Sequence, residues 1–198
     1  DHQERLSRVI VGADLRAVVS SSGTANTSLG PAVDALPDVG AVAVSYSVDQ
    51  SSIARGMVDL YAIQSRNYSR VAFLESHLFL EGSPADVASL ANGKRIIINQ
   101  ALQAETSARA GDTVNLKIST TNASQPVQLS CRIVAVVKVL PGMVGEVLKG
   151  YIPAILPAAY IDLSNLDLRS VSVRQVAVFA QSDSPREAAR AIKASFGG

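Results

Sequence analysis

The chain has 198 residues, 18% charged and 47% apolar, with a formal net charge of +1. That balance excludes a disordered chain and fits a folded body with one sizeable core or two small lobes. Lysines and arginines are scattered, tryptophan is absent and aromatics are 5%, so no basic stripe of a nucleic-acid binder is visible and stacking platforms for bases or sugars are scarce.

The predicted elements begin with "RVIVGADLRAVVS" (8–20), where Val9, Val11, Ala13, Leu15, Ala17 and Val19 share one face. A period of two over this length means a half-buried strand. "SSSGTANTS" is a polar loop. "LGPAVDALPD" (29–38) reads as a short helix with Pro31 near its start and Pro37 ending it. "VGAVAVSYSVDQ" is a second strand, carrying Val42, Val44, Tyr46 and Val48 on one face, and "GMVDLYAIQ" (56–64) is a third. Residues 65–82 read as a loop and a short helix. In "SPADVASLAN" (83–92), Ser83 is the N-cap, Pro84 takes the first helical position and Asp86 the third. "KRIIIN" is a buried strand. "QALQAETSARA" is a helix stopped by Gly111, and "DTVNLKIS" is a strand with Val114, Leu116 and Ile118 inward.

In "VQLSCRIVAVVKVL" (127–140) every odd position is apolar, while the even positions begin polar and become apolar at Val134 and Val136. This is a strand solvated on one side at its start and covered on both sides later; 14 residues would reach roughly 45 Å. Pro141-Gly142 ends it. "YIPAILPAAYID" reads as a short strand and then a helix opening at Pro157. "VSVRQVAVFAQ" (171–181) is a strand. The last helix carries a capping box, Ser184-Pro185-x-Glu187, with Ala188, Ile192 and Phe196 on one face.

Chemistry is sparse. "ANGKR" lacks the upstream glycine and the hydroxyl residue of a phosphate loop and reads as a turn. There is no dinucleotide fingerprint and no nucleophile elbow. The two histidines are His2, near the chain start, and His77, which has Glu75 and Glu81 nearby but no second histidine or cysteine, so neither forms a metal set. A Ser-His-Asp triad on His77 could assemble only in space. The single cysteine, Cys131, excludes an internal disulfide and sits on an apolar strand face, the setting of an inert thiol. Asp14 and Arg16, two residues apart, are candidates to pair. Asn26, Asn67 and Asn122 each begin an Asn-x-Ser pattern. The chain starts without Met or a signal peptide, and no apolar run reaches the 18–20 residues or so of a membrane helix. Its mean hydropathy is nevertheless +0.22, which is expected of a piece cut from a larger chain.

Five segments in order, "RVIVGADLRAVV", "ALPDVGAVA", "IINQALQAETSARAGDTVNLKIS", "CRIVAVVKVLPG" and "IPAILPAAYIDL", carry a resemblance that covers almost the whole chain. It resembles the extracytoplasmic (periplasmic core) domain of MacB/FtsX-like ABC transporter permeases, the region between the first and second membrane helices. The resemblance implies an α+β fold of two lobes. Residues 1–75 plus 168–198 would form a Porter-like α/β lobe, and residues 76–167 an inserted β-rich Sabre-like lobe. It implies a non-catalytic module with no catalytic, cofactor-binding or metal residues of its own, on the outer side of the cell membrane. The module would couple cytoplasmic ATP hydrolysis to substrate or partner handling outside. Its partners would be an ABC-type ATPase subunit acting through the membrane portion, a second permease copy, and an extracytoplasmic protein or a lipid or peptide substrate, with no nucleic acid. Two other readings stay open. One is a free-standing extracytoplasmic protein that binds a small molecule or peptide; the other is a hydrolase built on a buried His77. The two-lobe reading expects breaks near 65–82 and 160–170, and the loop-domain reading expects both chain ends at one pole.

Overall fold

The computed structural model describes residues 11–23, 27–121, 125–143 and 156–196. In chain order the elements are β1 (Leu15–Gly23), α1 (Leu29–Asp34), β2 (Val39–Ile53), β3 (Gly56–Ile63), α2 (Ser65–Val71), β4 (Phe79–Glu81), α3 (Ala85–Ser89), β5 (Arg95–Asn99), α4 (Gln100–Thr106), β6 (Thr113–Ile118), β7 (Val127–Val137), β8 (Ala158–Asp162), β9 (Val173–Ser182) and α5 (Pro185–Phe196). The class is α+β: one nine-stranded, mostly antiparallel sheet carries short helices on both faces.

The strand order is β1-β9-β2-β3-β8-β5-β7-β4, and β6 bridges β2 and β7. The first four strands come from residues 1–75 and 168–198, and all the others from 76–167. The two sets are joined by hydrogen bonds, through the parallel pair β3–β8 and the antiparallel pair β2–β6. Following the pairs β2–β3–β8–β5–β7–β6 and back to β2 closes a six-stranded ring that draws strands from both sets. β2 makes this possible. It pairs with β9 up to Val48, passes through Gln50 in a left-handed conformation (φ 52°), and from Ser51 onward pairs with β6 along the same edge.

The alternation of polar and apolar residues decides what each face buries. Ile53, Leu60, Ile96, Ile98, Leu116, Ile118, Cys131 and Ile133 belong to one cluster, which continues under α1 and α5 through Leu29, Val33 and Ala188. The opposite face carries Tyr61, Ile63, Ile97, Val137, Tyr160 and Phe179 beneath α2 and α3. A side chain such as Ile96, Ile98, Leu116 or Ile118, at most 1% exposed, contributes about 1.5–3 kcal/mol by leaving water.

Several expectations are corrected. Residues 8–10 of the expected first strand lie outside the described residues, and the strand that is described begins at Leu15: Gly12 is left-handed (φ 85°), and its carbonyl accepts the Phe73 N–H at 2.9 Å. α1 stops at Asp34, three residues short of Pro37. α4 stops at Thr106, where Ser107 takes the left-handed cap position (φ 56°); Gly111 instead turns the chain into β6, its N–H donating to Ile133 O at 2.8 Å. Residues 158–162 form a strand and not a helix. They are buried throughout and lie between β3 and β5, and this placement overrides the helical preference of the two alanines.

β7 is shorter than expected and changes phase. Ile133 pairs with Ile96 but Ala135 with Ile97, so Val134 is an extra residue in a bulge. Before it the odd residues Cys131 and Ile133 face the ring cluster. After it Val136 faces that cluster, while Ala135 and Val137 face the other. α3 opens at Ala85, so Pro84 and not Ser83 holds the N-cap position and no side chain caps the helix; Asp86 Oδ2 instead accepts the Ser83 N–H at 2.7 Å. α5 starts at Pro185 as expected, but the Ser184 N–H donates to Ser182 Oγ at 3.1 Å.

Candidate functional site

The residues with apparent chemistry in the sequence do not converge. The His77 side chain is 53% exposed, with Nδ1 3.2 Å from Glu75 Oε2. It is therefore not the buried histidine beside a serine that a hydrolase requires. Glu81 is a brace: Gln103 Nε2 donates to one of its oxygens at 3.0 Å and the Ala110 N–H to the other at 2.7 Å. Cys131 is buried, and that burial pushes its thiol pKa up, with Lys94 partly offsetting the rise. Gly93 of "ANGKR" sits in a turn with φ 112°. No group of three His, Cys, Asp or Glu among the described residues is arranged to hold a metal ion. Asn67 is exposed on α2 and donates to Val42 O at 3.1 Å; His2, Asn26 and Asn122 lie outside the described residues.

Asp14 and Arg16 also part ways. The Asp14 carboxylate accepts the backbone N–H of Ser182 at 3.2 Å. Arg16 Nε is buried without a hydrogen-bond partner, and burial lowers the guanidinium pKa. The Asp14–Ser182 contact matters for organisation. Leu15, the first residue of β1, is in register with Ala180 of β9. The chain therefore comes into the sheet and leaves it at one place, along adjacent strands.

Two buried polar residues that sequence reasoning missed hold the middle of the sheet. Asp162, at the end of β8, is 8% exposed. Its Oδ1 accepts the Ser65 N–H at 3.2 Å and the Ser65 hydroxyl in a short contact; its Oδ2 accepts the Ser164 N–H at 3.1 Å and hydroxyl at 2.5 Å. Burial raises its pKa, but these hydrogen bonds from Ser164 and Ser65 outweigh burial and hold the carboxyl below its ordinary value. Asn99, 1% exposed, caps α4 by accepting the Leu102 N–H at 3.0 Å. The same oxygen accepts the Ala158 N–H at 2.9 Å, and the amide nitrogen donates to Leu156 O at 2.7 Å. An Asn directly before a helical run is the signal that could have revealed this role.

Two recesses of the described surface each carry a few polar groups on a lining that is more apolar than polar. A groove of about 420 Å³ runs between α1 and α2 over Ala41–Val44, with Asp34 and Arg70 on its walls. A cleft of about 290 Å³ lies on the sheet face beside Leu156. Its floor is Tyr61, stacked on Tyr160 with ring centroids 5.4 Å apart. At its edge Arg174 reaches Asp59 at 3.4 Å and Asp49 at 4.0 Å.

No protein-family model and no curated protein sequence matches the chain. Among solved structures the chain is similar to the extracellular domain of the noncanonic ABC-type transporter YknZ from Gram-positive bacteria. Identity is 18%, over 89% of this chain and 87% of that one, with a TM-score of 0.46. It is also similar to the periplasmic region of MacB from Actinobacillus actinomycetemcomitans. Here identity is 12%, over 98% of this chain and 88% of that one, with a TM-score of 0.47.

Proposed function

We propose that the chain is the extracytoplasmic domain of an ABC transporter permease of the MacB/FtsX type. In this reading it is a non-catalytic module that couples ATP hydrolysis by a cytoplasmic partner to the handling of a substrate or partner outside the membrane. The observation that carries the reading is the Asp14–Ser182 contact. A loop domain between two neighbouring membrane helices must receive and return the chain at one place, and the adjacent β1 and β9 do so. The ordered segments from "RVIVGADLRAVV" to "IPAILPAAYIDL" support the same reading.

The strand order gives the coupling a physical form. The half-sheet built from residues 1–75 and 168–198 is the Porter-like part next to the membrane. The half built from 76–167 is the Sabre-like part that meets the partner or substrate. Motion delivered through the chain ends reaches the second half through β3–β8 and β2–β6.

The test is labelling in intact cells that express the full-length protein with Met57→Cys. Met57 is 65% exposed at the start of β3, and the native Cys131 is buried. A membrane-impermeant maleimide should label the variant from outside without lysis, well above the level of the parent protein. Labelling only after lysis would put the domain on the wrong side of the membrane and end this reading.

A further inference from the structure

A row of four side chains crosses the sheet face at the cleft. Ser20 of β1 is in register with Gln175 of β9, Gln175 with Ser47 of β2, and Ser47 with Tyr61 of β3. Directly opposed residues on antiparallel strands share a face, so the four stand side by side at the strand spacing of roughly 4.8 Å. None of the four side chains has a hydrogen-bond partner among the described residues. Ser47 and Tyr61 are 6% and 7% exposed. Among the described residues the only buried side-chain N and O atoms without a partner are Arg16 Nε and Ser51 Oγ, neither of which lines the cleft, so the free hydroxyls of Ser47 and Tyr61 retain access to solvent at the cleft. Burial and the neighbouring Asp59 push the Tyr61 pKa up to about 12, which keeps its hydroxyl protonated and able to donate at any physiological pH.

Charge selects the ligand class. Arg174 is already shared by Asp59 and Asp49, so an anion would compete with two carboxylates and a cation would meet a guanidinium. An apolar ligand would strand four polar groups, each at a desolvation cost. A peptide binding by strand addition needs an open sheet edge, whereas this cleft lies on a face. Three hydroxyls and one primary amide, each able to donate and accept, match a compact neutral ligand that carries several hydroxyls. We propose that the cleft binds a saccharide, one or two sugar rings, with Ser20, Gln175, Ser47 and Tyr61 as the hydrogen-bonding row. A volume of about 290 Å³ is at the lower end of small-molecule sites and limits the ligand to that size. The inference stands independently of the transporter reading.

The experiment is titration calorimetry on the 198-residue chain with glucose, N-acetylglucosamine and maltose as probes, and with inorganic phosphate and tri-alanine as controls. Saturable binding of at least one sugar is expected, with a Kd on the order of 1 mM. Gln175→Ala and Ser47→Ala should each weaken it by about five-fold, the equivalent of one hydrogen bond. Neither side chain has a hydrogen-bond partner among the described residues, so the thermal midpoints should not fall, which separates lost binding from lost structure. Asp34→Ala, in the other groove, should leave binding unchanged. No saturable sugar signal up to about 20 mM, well above a millimolar Kd, would overturn the proposal. So would undiminished sugar binding in both cleft variants, or saturation by phosphate or tri-alanine in place of sugar.

Discussion

Ser65 donates both its hydroxyl and its backbone N–H to one carboxylate oxygen of Asp162, across 97 residues of sequence. The contact fastens the start of α2 to the end of β8. Asp162→Asn keeps the shape but loses the charge and turns one acceptor into a donor. It should cost about 1–3 kcal/mol in urea unfolding at pH 7. The pH dependence has a fixed sign. The folded pKa lies below the unfolded one, so the stabilisation is complete above about pH 4 and is lost as pH falls through the folded value. The gap between parent and variant should therefore shrink as pH falls below about 4. A gap that stays constant over that range contradicts the assignment.

Asn99 serves three backbone groups at once: the Leu102 and Ala158 N–H groups and the Leu156 carbonyl. Asn99→Ala leaves all three unsatisfied in or near the core. A loss on the order of 3 kcal/mol is expected, with the fastest increase in amide exchange at Ala158 and Leu102. A loss below about 1 kcal/mol, the scale of a single exposed cap, would mean that water replaces the side chain.

Two glycines with positive φ should respond differently to alanine. At Gly142 (φ 74°) a Cβ would lie 2.3 Å from Phe179 Cε1 and 2.8 Å from Val11 O. At Gly111 (φ 98°) nothing lies within 4 Å. Gly111→Ala should cost only the backbone strain, about 1–2 kcal/mol. Gly142→Ala should cost clearly more, since an aromatic ring in a packed core must also move. Thermal unfolding of the two variants side by side checks this, and equal losses would contradict the packing around Phe179.

Cys131 should react slowly with a thiol reagent in the native protein and rapidly in denaturant, because it is 1% exposed. Rapid native labelling would show that β7 has another register. Cys131→Ser places a hydroxyl on the apolar face of β7 and should cost about 1–3 kcal/mol.

Ser51 already stands in register with Val58 and Ile118, and its Oγ is buried without a partner. Ser51→Ala should therefore hold or raise stability, by about 0.5–1.5 kcal/mol. A loss above about 1 kcal/mol would reveal a partner for this hydroxyl.

Most strands were legible because period two survives wherever one face is polar. β2, β3, β6 and β9 lie within a few residues of their expected ends. β8 was not legible: a strand buried on both faces loses its alternation, and "PAAYID" has none to show. The bulge at Val134 was also hidden, since every residue from Ile133 to Val137 is apolar and the alternation that would reveal a change of phase is absent there. Ring closure depends on β2 exchanging β9 for β6 along one edge at Gln50, and no local pattern encodes a distant partner. The cleft escaped for a similar reason. Ser20, Ser47, Tyr61 and Gln175 are unremarkable one at a time and become a row only through strand register.

The ring also determines how the domain responds to tension. Its six strands are closed on themselves, so a pull on the chain ends does not meet the ring first. It meets β1 and β9, which are antiparallel and enter and leave the sheet at the same end, near Leu15 and Ala180. Load applied there opens hydrogen bonds one after another, like a zipper, while the parallel β3–β8 junction remains stitched. Once α5 has lifted off, the β1–β9 seam should act as a mechanical fuse, with the ring surviving as a folded remnant. Stretching single molecules from Asp14 and Ser182 would register this as a low-force first step, and a single all-or-none rupture would count against it.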